Sequence, residues 1–143
     1  MEKRHVFLNS LFYGINSALY ELLGESGKTV GMTVAKHMKK FLERHGYIQD
    51  KMNISDLKNL FLKFNLAESF EIKENDKNVI LIVKKPYLSE FLQEMLKEGK
   101  TPYICPYVHL MSLLYMDITG KKISFDRPYI DKDEVQLIFK VYQ

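Results

Sequence analysis

The chain has 143 residues, the size of one domain, and we expect residues 1–143 to form a single folded unit. Hydrophobic residues make up 46% and charged residues 27% of the chain, which excludes disordered and fibrous proteins. One cysteine excludes an intrachain disulfide framework, and a net charge of +3 is too small to indicate a nucleic-acid partner. Seven Met, nine Tyr and nine Phe, with no Trp, predict a soft and aromatic interior.

The sequence shows no targeting or membrane-spanning segment. Its first residues mix apolar with polar side chains, whereas a secretory signal needs a continuous apolar stretch. The longest strongly apolar run, residues 79–83, has the length of a strand and falls far short of the roughly 20 residues of a transmembrane helix. We therefore expect a cytoplasmic protein without a membrane span.

Three amphipathic helices are predicted in the amino-terminal half of the chain. The first covers about residues 5–23, and its apolar stripe is expected to face the core. The second runs from Thr29 to about His45, and Asn53 or Ser55 can cap the third. The stripe expected to face inward on the first helix consists of Leu8, Leu11, Ile15, Ala18, Leu19 and Leu22, while Asn9, Ser10, Asn16, Ser17 and Glu21 are expected largely elsewhere.

The hydrophobic period then changes from near four to two, which indicates strands. Residues 70–73 and 79–83, joined by the polar residues 75–78, predict a β-hairpin. Residues 121–129 and 134–142 predict a second hairpin at the end of the chain.

Two further helices are predicted between the hairpins. One follows Pro86 and ends at Gly99, and the other runs from Tyr107 to about Thr119 with apolar residues on nearly every side, as in a buried central helix. The resulting order, ααα-ββ-αα-ββ, favours an α+β fold in which a four-stranded antiparallel sheet of two hairpins packs with about five helices.

The short motifs that could carry chemistry are weak. The run Gly27-Lys28-Thr29 lacks the upstream glycine and the preceding strand of a phosphate-binding loop, so we interpret it as a turn between helices. Cys105 and His109 are weak metal candidates, because a zinc site needs three or four protein ligands. The same pair lacks the third group that would orient a nucleophile. No metal, cofactor or catalytic residue is predicted.

A set of methionines and aromatic residues on the second and fifth helices offers a different interpretation. Thioether and aromatic side chains there could line a pocket for an apolar molecule, with His37, Tyr107 and His109 orienting it. Plain core packing explains the same pattern, and the spacing alone leaves both possibilities open. The candidate pocket residues are Val34, His37, Met38, Phe41, Tyr107, His109, Leu110, Met111 and Leu114.

Several segments resemble a known family. They read LLGESGKTVGMTVAK at 22–36, CPYVHLM at 105–111, ITGKKI at 118–123 and LIFKV at 137–141. In this order they are similar to the 4-vinyl-reductase-like, or hydrocarbon-binding, domains, which share an architecture with haem nitric-oxide-binding domains and TRAPP transport-particle subunits. The resemblance implies a sheet surrounded by helices, an apolar cavity between them and, often, a homodimer formed through the amino-terminal helices. It implies no reaction.

The sequence departs from these relatives at their metal, haem and lipid sites. The last hairpin, residues 126–143, lacks the paired cysteines that many 4-vinyl-reductase-like domains carry. The Tyr-x-Ser-x-Arg motif of the haem-binding relatives is absent, so haem held through His37 or His109 is not implied. Cys105 does not match the acylated cysteine of the transport-particle subunits.

The sequence therefore leads to two hypotheses about function. The first is a non-catalytic sensor or carrier domain that binds a small hydrophobic ligand. The second is a dimeric scaffold or adaptor whose cavity is filled by side chains and whose surfaces bind protein partners. A homodimer is expected from the resemblance and belongs to the second hypothesis, and neither hypothesis predicts a nucleic-acid partner.

Overall fold

The computed structural model describes residues 3–142, and it has the α+β architecture expected from the sequence. Within the described residues, two short segments are added to the predicted order: a 3₁₀ segment joins the first two helices, and a π-helical segment precedes the fifth. The helices are α1 (Lys3–Leu23), α2 (Val30–Arg44), α3 (Ile54–Lys63), α4 (Ser89–Lys97) and α5 (Met111–Thr119), and the strands are β1 (Ser69–Glu74), β2 (Asn78–Lys84), β3 (Lys122–Asp131) and β4 (Glu134–Tyr142).

The four strands form one antiparallel sheet in the order β1-β2-β4-β3. The two predicted hairpins are confirmed, and they join through β2 and β4, where Leu81 lies opposite Leu137. Side chains alternate along both central strands, so that one face of the sheet is buried against the helices. The buried face of these two strands consists of Val79, Leu81, Val83, Val135, Leu137 and Phe139.

Capping residues define two of the helix ends, and one of them, Asn53, is among the two caps that the sequence offered for the third helix. Asn53 caps α3, since its Oδ1 accepts a hydrogen bond from the Asp56 amide at 2.8 Å and the Asp56 carboxylate accepts one from the Asn53 amide at 3.0 Å. Gly120 ends α5 with a φ of 75°, a conformation that glycine adopts without steric cost.

Helix α5 is buried, as its apolar sequence predicts. Met111, Leu114 and Tyr115 are almost completely inaccessible to solvent. The helix begins later than predicted, because Pro106–Leu110 forms a π-helical segment instead of the first α-helical turn. Such wider turns commonly occur where a helix must accommodate irregular packing.

Helix α1 is rotated relative to our prediction, although Leu8 and Leu19 of the predicted inward stripe are half-buried. Leu22, which was expected to face the core, is 78% exposed, and Leu11 and Ile15 are exposed as well. Asn9 and Asn16, which were expected to face away from it, are the residues that α1 buries. We call the exposed apolar line of Phe7, Leu11, Ile15, Ala18 and Leu22 the outer stripe.

The two buried asparagines explain this orientation, because each makes several hydrogen bonds to backbone groups of other segments. The Asn16 Oδ1 accepts from the amides of Tyr103 at 2.6 Å and Ile104 at 2.9 Å, and its Nδ2 donates to the Ile104 carbonyl at 3.0 Å. A buried backbone amide without a partner is costly, so the loop before Cys105 depends on this side chain.

Asn9 holds the beginning of α4 in the same way. Its Oδ1 accepts from the Phe91 amide at 2.9 Å, and its Nδ2 donates to the Tyr87 carbonyl at 3.1 Å. The orphan amides at a helix amino terminus need such acceptors, and here a neighbouring helix supplies one. Polar contacts therefore fix α1 to the rest of the molecule at two places.

Two glycines allow α2 and the turn before it to approach the loop around Tyr103. A Cβ placed on Gly31 would lie 2.1 Å from the Tyr103 carbonyl oxygen and 2.4 Å from Nε2 of His109. A Cβ on Gly27 would lie 2.5 Å from the Tyr103 ring. The glycine of the run 27–29 thus serves close packing in the turn between α1 and α2.

Candidate functional site

An apolar groove of about 930 Å³ lies between α1 and α2. The 3₁₀ segment joins these helices at one end, and the segments before β1 and α4 also contribute to the groove. No Asp, Glu, Lys or Arg is among its lining residues in the described part of the chain. They are His5, Leu8, Phe12, Met38, Leu42, Phe64, Asn65, Leu66, Tyr87, Leu88, Pro106 and Leu110.

Tyr107 holds one wall of the groove from within the core. Its hydroxyl donates a hydrogen bond to the Leu66 carbonyl at 2.5 Å and accepts one from the Leu88 amide at 3.3 Å. The Tyr87 amide donates to the same Leu66 carbonyl at 2.7 Å. Burial raises the pKa of Tyr107, so the phenol stays protonated and keeps these bonds throughout the physiological pH range. Tyr107 therefore joins two lining segments without lining the groove.

Polar groups of the groove are few. The rings of His5 and Tyr87 contact each other, with 4.1 Å between their centroids. Asn65 has a left-handed backbone conformation, with a φ of 55°, which asparagine tolerates better than most residues. These three residues could orient one polar end of a ligand, whereas the other lining residues offer apolar contacts.

The structure divides the α2 residues of the predicted pocket between two surfaces. Met38 lines the groove, while Val34, His37 and Phe41 lie on the flank of α2. On that flank they border a shallow depression of about 560 Å³ that also includes Met38 and Leu42. His37 and Phe41 are exposed there, and the two surfaces share Met38 and Leu42.

The predicted residues around α5 are not gathered in one pocket either. Leu110 lines the groove, and Met111 is completely buried in the core beside Tyr107. Leu114 belongs to the core and borders a separate, polar depression next to the 2.5 Å ion pair of Lys39 and Asp117. Thus Met38 and Leu110 are the two candidates that the structure brings together in the groove.

Cys105 and His109 form a local structural contact. The Nδ1 of His109 accepts a hydrogen bond from the Cys105 amide at 3.2 Å, and its Nε2 lies against Gly31. Burial lowers the pKa of His109 and raises the pKa of the Cys105 thiol to about 12. A neutral imidazole and a protonated thiol are therefore the forms expected at neutral pH. Within residues 3–142, no group of three His, Cys, Asp or Glu side chains could hold a metal ion.

Sequence reasoning missed the α1 side of the groove and the segment before β1. His5, Leu8 and Phe12 of α1 line one side of the groove. Residues 64–66, which follow α3, contribute to the lining as well. The sequence assigned Leu8 to the same inward stripe as Leu11, Ile15, Ala18 and Leu22. In the structure Leu8 lines the groove, whereas the other four residues are exposed. The two asparagines at positions 9 and 16 were the available signal, because residues seven apart on a helix lie on the same face.

Comparisons with known proteins place the chain in a family. Residues 8–141 match the family described as "Putative rubredoxin C-terminal domain". An uncharacterised protein from Methanocaldococcus jannaschii is 36% identical over 137 residues, which cover 94% of this chain and 86% of that protein. No solved structure matches the chain significantly. Since the family match spans nearly the whole sequence, the chain belongs to the "Putative rubredoxin C-terminal domain" family.

Proposed function

We propose that this chain is a non-catalytic domain that binds a small, uncharged apolar molecule in the groove between α1 and α2. The apolar lining of the groove carries the proposal. No Asp, Glu, Lys or Arg is among its described lining residues, and a charged ligand would lose its hydration there with only a few polar groups, such as His5, to replace it. The volume of about 930 Å³ is typical of sites for small organic molecules.

Apolar burial supplies the affinity in this proposal. A ligand that transfers about 300 Å² of apolar surface into the groove gains roughly 7 kcal/mol, before the costs of ordering and association are subtracted. Met38 and Leu42 on one side and Leu8 and Phe12 on the other provide this contact area. Methionine adds adaptability, because its unbranched side chain accommodates ligands of different shapes.

The resemblance to hydrocarbon-binding domains supports the same ligand class, and it stays a prediction. It implies an apolar cavity between helices and sheet, and the groove is apolar, although helices form most of its lining. A sensor and a carrier would use the same site, and a cytoplasmic location for either is part of the proposal. The single cysteine is typical of a reducing compartment.

The name of the family refers to rubredoxin, but this chain does not carry the donor set of a sulfur-bound iron site. A tetrahedral site of four sulfur ligands needs four cysteines, and the chain has one. That residue, Cys105, is buried and its thiol is held protonated at neutral pH. The proposed function therefore uses no metal bound by this chain.

Native mass spectrometry and a fluorescent probe can test the proposal. We expect the purified chain to retain an apolar molecule or to bind the neutral probe N-phenyl-1-naphthylamine. The variant Leu42→Trp should fill the groove and weaken probe binding at least tenfold, a change of about 1.4 kcal/mol. The control Leu96→Trp adds the same ring to an exposed position on α4 and should bind the probe normally.

A clean apo mass together with no probe binding would contradict the proposal. Equal probe affinities of the wild type and Leu42→Trp would show that the probe binds at another site. Circular dichroism should confirm that both tryptophan variants keep the helical content of the wild type.

The second candidate function is a dimeric scaffold or adaptor. The outer stripe favours it, because five exposed apolar residues in line on one helix exceed the scattered apolar residues of an ordinary surface. Sedimentation analysis tests this candidate directly: a monomer at every concentration would contradict the dimer.

A further inference from the structure

Helix α1 has an unusually long segment without charge. Residues 6–20 contain no Asp, Glu, Lys, Arg or His, although much of this segment is exposed. A helix on the surface of a water-soluble protein normally carries charged residues on its outer face. Here the inner face holds the two asparagines and the outer stripe is apolar. The outer stripe therefore has the composition of a protein interface and not that of an ordinary solvent-exposed helix face.

The size of the exposed apolar surface fits a protein interface. The outer stripe leaves five apolar residues exposed in line on one helix, and contiguous apolar patches of this kind commonly mark interaction sites. A standard interface buries about 800 Å² on each partner. The rim of the groove and the exposed flank of α2, with Val34 and Phe41, supply further apolar surface nearby.

We propose that a second copy of this chain covers the outer stripe and, by doing so, closes the groove, so that the apolar ligand site is complete only in the dimer. This inference rests on the proposed function, because it concerns the same groove. Two-fold dimers bring the same surface of both copies together, and any charge on that surface would meet its own copy. A stripe without charges is therefore suited to self-association. An anionic lipid surface would instead favour lysines and arginines, which residues 6–20 lack.

The outer stripe and the groove are continuous around α1. Ile15 of the stripe lies seven residues after Leu8 and three after Phe12, spacings that place all three on neighbouring parts of one helix face. A helix of a second copy packed on the stripe would lie 8–10 Å from the axis of α1, as packed helices generally do. Its side chains would then extend over the mouth of the groove, which is open to solvent in the single chain.

Coupling between dimerisation and ligand binding follows from this arrangement. If the ligand binds the dimer more tightly than the monomer, each bound ligand must strengthen the dimer by the same factor. A factor of about tenfold or more is expected, because couplings of this kind usually span about 5- to 150-fold.

The double variant Leu11→Lys/Ile15→Lys tests the coupling, since neither residue lines the groove. Sedimentation velocity should show a dimer for the wild type and a monomer for the variant. Binding of N-phenyl-1-naphthylamine should weaken at least tenfold in the variant. The control Leu96→Lys/Tyr129→Lys adds the same two charges at exposed positions on α4 and β3 and should match the wild type in both measurements. If the double variant does not fold, Leu22→Lys alone replaces it, because Leu22 is the most exposed residue of the stripe.

The possible failures are distinguishable. A monomeric variant that binds the probe with wild-type affinity would overturn the coupling and leave the proposed function intact. A wild-type dimer that binds no probe would contradict the proposed function itself. A wild type that stays monomeric but sediments with phosphatidylcholine–phosphatidylglycerol vesicles would overturn the dimer and assign the outer stripe to a lipid surface.

Discussion

Helices α1 and α5 are both rich in apolar residues, yet they are attached to the molecule in opposite ways. Helix α5 packs in the core through Met111, Leu114 and Tyr115. Helix α1 is attached partly by the hydrogen bonds of Asn9 and Asn16 and leaves its outer stripe exposed. The comparison shows that an apolar stripe on a helix does not establish which face of that helix the chain itself buries.

The same substitution on both helices provides the largest expected contrast. Leu114→Ala should lower the free energy of unfolding by 2–5 kcal/mol, because it leaves a cavity in the core. Leu22→Ala should change it by less than about 0.5 kcal/mol at low protein concentration, because Leu22 is mostly exposed. Urea unfolding followed by circular dichroism measures both. If Leu22→Ala lowered the free energy of unfolding by more than this, and the loss depended on protein concentration, a second molecule would have to cover this residue.

The asparagine attachment of α1 can be broken at Asn16. Asn16→Ala should lower the free energy of unfolding by about 3 kcal/mol, because it leaves the buried amide of Tyr103 and its neighbour without acceptors. The exposed Asn59 on α3 serves as the control, and Asn59→Ala should stay within about 0.5 kcal/mol of the wild type. Urea unfolding measures both variants. If Asn16→Ala and Asn59→Ala changed the free energy of unfolding equally, the hydrogen bonds of Asn16 would not be what attaches α1.

The close approach of α2 to the loop around Tyr103 depends on Gly31. Gly31→Ala should destabilise the chain by about 2 kcal/mol, since the added methyl group overlaps a backbone carbonyl and the His109 ring. Gly14→Ala in α1 should instead stabilise it by up to about 1 kcal/mol, because nothing lies within 4 Å of the new Cβ and alanine favours the helix. Thermal unfolding measures both variants. Melting temperatures that shift in the same direction would contradict the close packing inferred at Gly31.

The smallest effect concerns pH and His109. Burial lowers the pKa of His109 in the folded chain, so the unfolded chain takes up a proton first as the pH falls below about 6.5. Stability is therefore full above that pH and decreases toward the folded pKa. Between pH 7.5 and 5.5, His109→Gln should lose less stability than the wild type, by on the order of 1 kcal/mol. Urea unfolding at the two pH values measures the difference, and an equal loss of stability in the wild type and in His109→Gln would contradict this cause.

The sequence predicted most of the fold because its local signals agree with one another. The caps at Asn53 and Gly120, the change of period at residue 70 and the apolar sequence of α5 each correspond to an observed element. The orientation of α1 could not be predicted in the same way, because hydrophobicity assigns asparagine to the surface. Two asparagines that satisfy backbone groups of other segments reverse this assignment, and those segments are about 80 residues away.

The candidate site was predicted only in part for a related reason. Helical spacing groups Val34, His37, Met38 and Phe41, but the groove is formed where α2 diverges from α1 and contains only Met38 of these four. Its remaining walls come from segments far apart in the sequence, such as residues 64–66 and 87–88. Their proximity depends on the Tyr107 hydroxyl, whose hydrogen bonds cannot be inferred from periodicity.

The edges of the sheet also limit how copies of this chain can associate. Edge strand β1 has only six residues and carries Glu71 and Lys73, which are exposed. Edge strand β3 contains Pro128, which has no amide hydrogen to donate, and a bulge between Phe125 and Arg127. Short, charged, proline-containing or bulged edges resist the addition of a strand from another molecule. Pairing of edge strands between molecules is therefore disfavoured. This protects the chain from fibrous aggregation even though its helix α1 exposes an apolar surface.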